Sequence, residues 1–434
     1  MYINAMQRCV AFYFCTSLPR RARESKYPSA RDWRADVAAA GSRRGATMKF
    51  SRLTNGLGTG VFARLAEKKR EAERRGMKIY DFFVGTPDFP CDEHIREAAA
   101  RAMRDPENVK YSLLDSDEMI NAVTGYYRRR YGVTLTADMI ASCNGTQDGM
   151  GHIGMLLADR GDYALLPDPG YIAFETNARF AGAQPYYYPL KEENGFLPDF
   201  SAIPAEVLSR TAYLVLSYPS NPVGAVAPQR VYLEAIALAE KYGFAVINDN
   251  AYSDIVFEGE CGSFLSLPGA AEVGAEFFSL SKSFNTTGAR ISFLIGSPEM
   301  VGAFRRLRSQ YDFGMFKPVQ AMAVAALTGD TSGVKQRCDE YRRRRDALCS
   351  GLRSIGWNVR DSQGTMFVWA RIPDGFGGSA EFAERLLERS GVMCTPGSEF
   401  GPSGEGYVRF ALVRPVETIN AAVRAIDDSG ILNK

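Results

Sequence analysis

The chain has 434 residues and a mass of 47.8 kDa, which suits one large and one smaller domain better than a single small core. Hydrophobic residues make up 46% and charged residues 24%, and 52 basic against 50 acidic side chains leave a net charge of +2. This balance indicates neither a nucleic-acid partner nor a membrane surface. No apolar run reaches the roughly 18 residues that a transmembrane helix needs.

Histidine and cysteine usage excludes several kinds of site. The chain has two histidines, His94 and His152, which argues against a His-rich metal centre and leaves few candidates for a Ser-His-Asp relay. We expect His152 to be a packing residue. Eight cysteines are scattered without a CxxC pair. The sequence therefore predicts no metal site, reduced thiols and a cytoplasmic protein.

Residues 1–47 differ from the rest of the chain. They contain eight arginines and one lysine against three acidic residues, and they show no lasting hydrophobic periodicity. Their apolar stretch is shorter than most signal-peptide cores, and the acidic residues do not suit a transit peptide, which stays an alternative. We expect this segment to be disordered and Met48 to be the natural start.

From Met48 onward, strand-like and helix-like segments alternate. Residues 138–143 precede a turn and a helix predicted over 150–158. Residues 211–218, 244–248 and 276–280 are short apolar runs of strand length. A helix is predicted over 228–242, where a proline suits the start and a glycine follows the end. Such alternation predicts parallel strands with right-handed crossovers, and hence an α/β fold.

Polar residues follow three of the predicted strands. Asn221 comes after the first apolar run, Asp249 and Tyr252 after the second, and Lys282 after the third. Ligands of parallel α/β sheets bind beyond the carboxyl ends of the strands. We therefore look for a site where these four residues meet.

Lys282 lies among small hydroxyl residues just past a predicted buried strand. A lysine in a dry site can lose its proton and form a Schiff base with a carbonyl. On residues 279–283 alone, an exposed loop lysine is the alternative. Arg290, eight residues further on, can clamp a phosphate together with the serines, and a surface arginine is the alternative there.

Two further segments suit a phosphorylated ring. Asp249 can keep a ring nitrogen protonated and Tyr252 can donate to a phenolic oxygen, although a helix N-cap and a packed tyrosine are equally open. The turn 144–147 (NGTQ) precedes a helix and can cradle a phosphate, as many glycine-containing turns can. Jointly, these residues match pyridoxal phosphate (PLP), whose enzymes use a Schiff-base lysine and a charged partner for the ring nitrogen.

With these residues, further motifs make the chain resemble the class I/II aminotransferases of PLP fold type I, from about residue 48 to the C-terminus. The matching segments are 82–88 (FFVGTPD), 110–112 (KYS), 144–147 (NGTQ), 168–171 (DPGY), 220–224 (SNPVG), 249–252 (DNAY), 279–282 (SLSK) with Arg290, and 406–410 (GYVRF). The segments NDNAYSDIVF and KEENGFLPD are most similar to the branch of LL-diaminopimelate aminotransferases.

The resemblance implies a fold, a reaction and an assembly. The fold is α/β, with a large PLP-binding domain over 92–328, whose sheet is mixed but mostly parallel, and a smaller α/β domain formed by 48–91 and 329–434. The reaction moves an amino group between an α-amino acid and a 2-oxo acid, with ping-pong kinetics. The implied assembly is a homodimer.

The resemblance also implies residue roles. Lys282, Asp249 and Tyr252 are the implied catalytic residues. Tyr111 is implied to reach the phosphate of the neighbouring subunit. The implied cofactor-binding residues are Lys282, Gly145, Thr146, Gln147, Tyr171, Asn221, Asp249, Tyr252, Ser279, Ser281, Arg290 and Tyr111. The implied substrate-binding residues are Gly85, Asn221 and Arg409.

Some positions depart from the family pattern. Ser292 replaces the last glycine of Gly-x-Arg-x-Gly, Val223 makes the commoner NPTG an NPVG, and residues 116–120 lack the usual Gly and Leu-Arg. Residues 364–367 fit a substrate-pocket strand. The amino-acid substrate is therefore open, with LL-diaminopimelate or a related amino acid as the candidate.

Two other functions stay open on the sequence. PLP-dependent C–S β-lyases differ little at the cofactor, so β-elimination is the alternative reaction. A non-catalytic aminotransferase-like regulator is more remote, because residues 1–47 are too short and unpatterned for a winged helix.

Overall fold

The structure is a computed structural model that describes residues 48–433 except 56, 57 and 59, without the side chain of residue 52. The predicted disorder of residues 1–47 lies outside these residues. The described residues up to Gly58 belong to one unit and those from Gly60 onward to another. Among the described residues of the first unit, Arg52–Asn55 form a short helix, α1. All further elements belong to the second unit.

The central element of the second unit is a seven-stranded sheet in the order β2-β8-β7-β6-β5-β3-β4. All neighbouring pairs from β7 to β4 are parallel, whereas β8 runs antiparallel to both of its neighbours. The strands are β2 (Ile140–Cys143), β3 (Tyr163–Asp168), β4 (Gln184–Pro189), β5 (Thr211–Leu216), β6 (Ala245–Asn250), β7 (Gly274–Ser279) and β8 (Ser292–Gly296). The predicted mixed, mostly parallel α/β sheet is confirmed.

Helices cover both faces of this sheet, because its strands send alternate side chains to opposite sides. The helices after α1 are α2 (Val61–Arg74), α3 (Glu93–Ala102), α4 (Asp117–Tyr131), α5 (Thr146–Leu157), α6 (Ile172–Ala181), α7 (Ala205–Leu208), α8 (Gln229–Tyr242), α9 (Ala270–Val273), α10 (Leu280–Ser283), α11 (Pro298–Arg308), α12 (Lys317–Thr328), α13 (Ser332–Ser354), α14 (Ser379–Ser390) and α15 (Val416–Asp428). On one face of the sheet, Leu214 and Val246 pack with residues of α4, α8 and α12. On the other face, Val215 and Ile247 pack with residues of α5, α6 and α11.

A second hydrophobic cluster brings together Phe82, the buried Tyr252, Ile255 and Phe257, and side chains between residues 341 and 431. It surrounds a three-stranded antiparallel sheet in the order β11-β12-β9, while β1 pairs with β10 in parallel. These strands are β1 (Tyr80–Asp81), β9 (Phe367–Arg371), β10 (Val392–Met393), β11 (Thr395–Pro396) and β12 (Tyr407–Ala411). The domain boundaries at 91/92 and 328/329 stay predictions.

The predicted elements exist, and several of their ends differ. The helix over 228–242 is confirmed within one residue, and Gly243 ends it with a left-handed φ of +78°. The strand predicted over 276–280 ends at Ser279, because the Ser279 hydroxyl accepts a hydrogen bond from Ser281 N at 3.2 Å and starts helix α10. The strand predicted over 211–218 ends at Leu216, the last residue of its register with β6.

The helix predicted over 150–158 begins earlier, at Thr146. Gly145 turns the chain with a φ of +91°, and the Asp148 carboxylate accepts from Asn144 N at 3.2 Å, so the first turn forms directly after β2. No helix in the described part of the chain is long and apolar enough to cross a membrane. Within the same residues, no cluster of three or more His, Cys, Asp or Glu side chains can hold a metal ion.

Candidate active site

A cavity of about 250 Å³ lies beyond the carboxyl ends of β5, β6 and β7. It collects all the predicted site residues except Gly145 and Tyr111. Those that line it are Gly85, Thr146, Gln147, Tyr171, Asn221, Asp249, Tyr252, Ser279, Ser281, Lys282, Arg290 and Arg409. The strand order accounts for this convergence, since parallel neighbours end at the same edge of the sheet.

Lys282 enters the cavity from the short helix α10, directly after β7. Its Nζ donates a hydrogen bond to the Gly85 carbonyl oxygen at 2.6 Å. Burial, with the charges of Arg409 and Arg290, lowers the pKa of Lys282 to about 8. A side chain at residue 85 would place its Cβ 2.5 Å from the Phe367 ring, so the close packing of residue 85 against this ring favours glycine. Lys282 is therefore not the exposed loop lysine that residues 279–283 left open.

Asp249 is the next-to-last residue of β6 and is buried. Burial raises the pKa of its carboxyl to about 7, against the opposing effect of a hydrogen bond from the Ala251 backbone. Its Oδ1 is buried and has no hydrogen-bond partner among the described residues. Such an oxygen is costly unless a ligand donates to it.

Arg290 and the turn before α5 form one corner of the cavity. Arg290 has a left-handed φ of +55°, uncommon for a residue with a side chain, and its Nη1 donates to the Thr287 carbonyl oxygen at 3.0 Å. Gly145 lies behind it, since a Cβ there would collide with Arg290 Nη2. Thr146 Oγ1 is buried without a hydrogen-bond partner in the described residues. A helix N-terminus beside an arginine fork suits an anion.

Arg409, on β12, is almost completely buried. It donates to Asn221 Oδ1 at 2.8 Å and to the Phe83 carbonyl oxygen at 3.0 Å, and its guanidinium lies 4.0 Å from the Phe367 ring centre. Burial lowers its pKa to about 10. None of the described acidic side chains pairs with it, so the cavity contains a desolvated cation suited to a carboxylate.

Two tyrosines complete the walls. The Tyr171 hydroxyl donates to Gln147 Oε1 at 3.0 Å, and Tyr252 packs edge-on against Phe367 with ring centres 5.7 Å apart. Burial raises the pKa of both tyrosines. Both hydroxyls therefore stay protonated and are able to donate hydrogen bonds.

Tyr111 lies away from this cavity. Its side chain is 80% exposed and packs edge-on against Phe313, with ring centres 4.9 Å apart. It lines a separate groove of about 960 Å³ with the exposed Leu113 and Leu114. The structure thus does not bring Tyr111 to the cavity of its own chain.

His152 is a packing residue, as predicted. It is buried, and its ring contacts Phe304 and Tyr311 edge-on. The substrate-pocket strand expected over 364–367 starts only at Phe367, where β9 begins, because the buried Thr365 has a φ of +67°, outside the strand region. Phe367 does line the cavity. The hydroxyl of Ser292, which replaces the usual glycine, lies 2.9 Å from Cys143 Sγ, and neither residue lines the cavity.

Phe62 on α2 lines the cavity but was missed from the sequence. No motif marks it, because an aromatic residue on a helix reads as an ordinary core position. Val84 and Phe367 also line the cavity, and they lie in the segments 82–88 and 364–367 that the sequence marked. Only the tertiary fold brings Phe62 and Phe367 to one wall.

The unpartnered atoms permit a test of the expected cofactor. PLP offers a protonated ring nitrogen for a carboxylate oxygen and phosphate oxygens for a hydroxyl and an arginine. The orphan oxygens of Asp249 and Thr146 and the exposed fork of Arg290 match these groups. The residues present therefore fit PLP. Fold and cavity together define an α/β PLP-dependent enzyme of fold type I.

Comparison with known proteins identifies the family. The sequence profile described as aminotransferase class I and II matches residues 78–426, and the chain belongs to this family. It is 40% identical over 379 residues to the LL-diaminopimelate aminotransferase of Dehalococcoides mccartyi, covering 87% of this chain and 97% of that protein. The enzyme of that name from Moorella thermoacetica is 38% identical over 371 residues, covering 84% and 94%.

Solved structures agree with this assignment. Substrate-bound BacF from Bacillus subtilis superposes with a TM-score of 0.85 at 33% identity, covering 88% of this chain and 98% of that chain. Aspartate aminotransferase from Thermus thermophilus with maleate gives 0.82 at 28% identity, covering 88% and 100%. The protein is thus a PLP-dependent aminotransferase, as the sequence predicted.

Proposed function

We propose that this aminotransferase transfers the amino group of LL-diaminopimelate or a related α-amino acid to a 2-oxo acid. The observation that carries the proposal is the pairing, in one cavity, of a lysine whose pKa is about 8 with a buried arginine that has no acidic partner in the described residues. The amine suits proton transfer near neutral pH, and the arginine suits an α-carboxylate. The names of the relatives support the choice of donor.

We assign the cofactor contacts to residues that line the cavity and to Gly145, which lies behind Arg290. Lys282 would bond covalently to PLP, Asp249 would pair with the ring nitrogen, Asn221 and Tyr252 would donate to the ring oxygen, and Tyr171 would pack on the ring. Gly145, Thr146, Gln147, Ser279, Ser281 and Arg290 would hold the phosphate. When bound, PLP supplies the electron sink that makes the substrate α-proton removable.

The chain's own groups then position the substrate and move the proton. Arg409 binds the α-carboxylate of the substrate through its planar guanidinium. Gly85 has no side chain, so the main chain at this residue can come close to the same carboxylate. Lys282 Nζ would take the α-proton as a general base and give it back as a general acid. Its lowered pKa provides a useful fraction of free amine at neutral pH.

A visible absorption spectrum tests this function. The purified protein should show a yellow band that bleaches on addition of LL-diaminopimelate and returns with a 2-oxo acid. Bleaching by another amino acid would identify a different donor. Release of pyruvate and ammonia from a cysteine-type substrate, without any 2-oxo acid, would indicate the C–S lyase reaction instead. A protein that takes up no PLP would contradict the assignment.

Replacing Arg409 with lysine should lower kcat/KM for the amino acid by about 10²-fold, because one ammonium cannot replace two fork contacts to a carboxylate. Most of the change should be in KM. The control is a simple amine without a carboxylate, whose slow reaction should not change. An equal loss for amine and amino acid would contradict the carboxylate role.

We also propose a homodimer in which Tyr111 completes the site of the other subunit. Its support is a surface of large exposed apolar side chains, which monomeric proteins rarely keep. Tyr111, Leu113, Leu114, Phe313 and Phe316 are 80%, 69%, 81%, 55% and 46% exposed.

Introducing Leu114→Asp should dissociate this dimer and reduce activity together, because a buried unpaired carboxylate destabilises an interface. Analytical ultracentrifugation measures the assembly. Leu233→Asp is the matched control, since Leu233 lies on α8 and is 43% exposed. A fully active monomer would contradict the proposal.

Two further proposals concern location and domains. We propose a cytoplasmic protein, supported by the six described cysteines, all of which are free thiols. We also propose a small domain of 48–91 and 329–434 beside a large domain of 92–328. The hydrophobic cluster that joins Phe82 to residues 341–431 supports this division.

A further inference from the structure

The residue that follows Lys282 is held from two sides. Ser283 ends helix α10, and its hydroxyl donates to Asp254 Oδ2 at 2.6 Å. Its carbonyl oxygen accepts from Arg337 Nη2 at 2.9 Å. The same guanidinium binds both oxygens of Asp92, at 2.8 and 3.0 Å. Lys282 therefore stands on a backbone fixed by two charged side chains outside the cavity.

These side chains link Lys282 to other parts of the site. Asp254 is two residues beyond Tyr252 in sequence, and its side chain is only 5% exposed. Asp92 is seven residues beyond Gly85, whose carbonyl accepts from Lys282 Nζ. Arg337 is 8% exposed and lies on the long helix α13.

Helix α10 needs such support. It has four residues, and so short a helix is unstable by itself, because nucleation costs more than one turn returns. A planar guanidinium can bind a carboxylate and a backbone carbonyl at the same time in one fixed plane. A displacement of about 1 Å at a reacting group can cost roughly 10²-fold in rate.

We propose that Arg337 and Asp254 are positioning residues that hold Ser283, and thereby set where Lys282 Nζ stands in the cavity. This inference rests on the proposed role of Lys282. The two residues govern how fast Lys282 bonds to PLP and how fast it moves the α-proton. They do not govern the affinity for the amino acid, because neither lines the cavity.

Arg337→Lys and Arg344→Lys form a matched pair of variants. Arg344 lies on the same helix, is 3% exposed and binds both oxygens of Asp88 at 2.7 and 3.0 Å. Its remaining backbone contact is the Leu412 carbonyl oxygen, at 3.0 Å, instead of Ser283. Both variants lose a buried bidentate pair, and Arg344→Lys also loses the contact of Arg344 Nε to Glu340 at 2.9 Å. Thermal unfolding should therefore show at least as large a loss of stability for Arg344→Lys as for Arg337→Lys.

Rates should separate the pair. Arg337→Lys should lower kcat about tenfold or more with KM unchanged, within the 10²-fold range of small misplacements. It should slow, by a similar factor, the growth of the visible band when PLP is added to the cofactor-free protein. Arg344→Lys should leave both rates within about twofold of the unchanged protein. Equal rates in the two variants would overturn the proposal.

A second pair addresses Asp254 should Arg337→Lys fail to fold. Asp254→Asn weakens the bond to Ser283, whereas Arg130→Ala leaves that bond and removes the other charged contact of Asp254, at 3.5 Å, together with the contact of Arg130 to the Tyr131 ring. Asp254→Asn alone should slow PLP uptake, and equal uptake in both would overturn the proposal. PLP uptake does not require transamination, so this measurement tests the proposal even if the proposed substrate is wrong.

Discussion

Replacing Lys282 with alanine is expected to abolish transamination, with kcat falling by about 10⁴-fold, the upper range for removing a general acid/base. The structure explains the size of the effect. Lys282 is the lysine of the cavity, and its Nζ is already directed at the Gly85 carbonyl beside Arg409. No other described lysine lines this cavity. Single-turnover bleaching of the cofactor band measures the loss directly.

The control for this experiment is Lys335→Ala. Lys335 is 81% exposed on its side chain and pairs with Asp339 at 2.7 Å on the surface of α13, so its loss should leave turnover unchanged. Small primary amines added to Lys282→Ala should restore part of the rate, because they supply the missing base in solution. Normal turnover by Lys282→Ala without added amine would show that the assigned mechanism is wrong at its centre.

The sequence predicted the part of the site that follows from sheet geometry. Asp249 and Lys282 lie at the ends of β6 and β7, which are parallel neighbours, so their meeting follows once both runs are recognised as strands. Arg409 lies on a different sheet and was predicted from the resemblance of its segment to a family motif. The alternation of strands and helices alone would not have predicted that it lies near Asn221.

What the sequence could not predict is tertiary packing. Phe62 is more than 300 positions from Phe367, yet it lines the same cavity although no motif marks it. The support of Ser283 by Arg337 is equally invisible, because an arginine on a long, arginine-rich helix reads as a solvated charge. Its burial depends on how α13 packs beside the segment that contains Asp92.

Some predicted ends of strands and helices are wrong because of local hydrogen bonds. The predicted strand over 276–280 continued its apolar pattern through Leu280, which does remain buried. The hydroxyl of Ser279 nevertheless starts a helix there. Hydrophobicity marks burial but does not distinguish the last strand residue from the first helical one.

Asp249→Asn should change stability and activity in opposite directions. Burial raises the pKa of Asp249 from 3.8 to about 7. Between those values the folded protein without cofactor binds more protons than the unfolded chain, so its stability falls as pH rises. Above pH 7 the buried anion costs about 4 kcal/mol. Asparagine removes this cost, so the thermal midpoint of the cofactor-free variant should exceed that of the unchanged protein at pH 8 and match it near pH 4.

With PLP bound, the same substitution should be harmful. The carboxylate no longer faces the ring nitrogen, so an amide must replace a charged contact in a buried place, and removing one partner of such a pair costs about 2–5 kcal/mol. PLP should dissociate more readily, and kcat should fall by about 10²-fold or more. Equilibrium dialysis and single-turnover kinetics measure the two effects separately.

Asp168→Asn separates this effect from a general response to losing a buried carboxylate. Asp168 ends β3 and is buried, and burial raises its pKa as well. Its oxygens, however, accept hydrogen bonds from the Ser403 backbone and hydroxyl at 2.7–3.1 Å. Asparagine there should destabilise the cofactor-free protein at pH 8, because a satisfied acceptor is lost. Equal destabilisation of the cofactor-free protein by Asp249→Asn would mean that Asp249 Oδ1 already has a partner there. That result would contradict the assignment of this oxygen to the ring nitrogen of PLP.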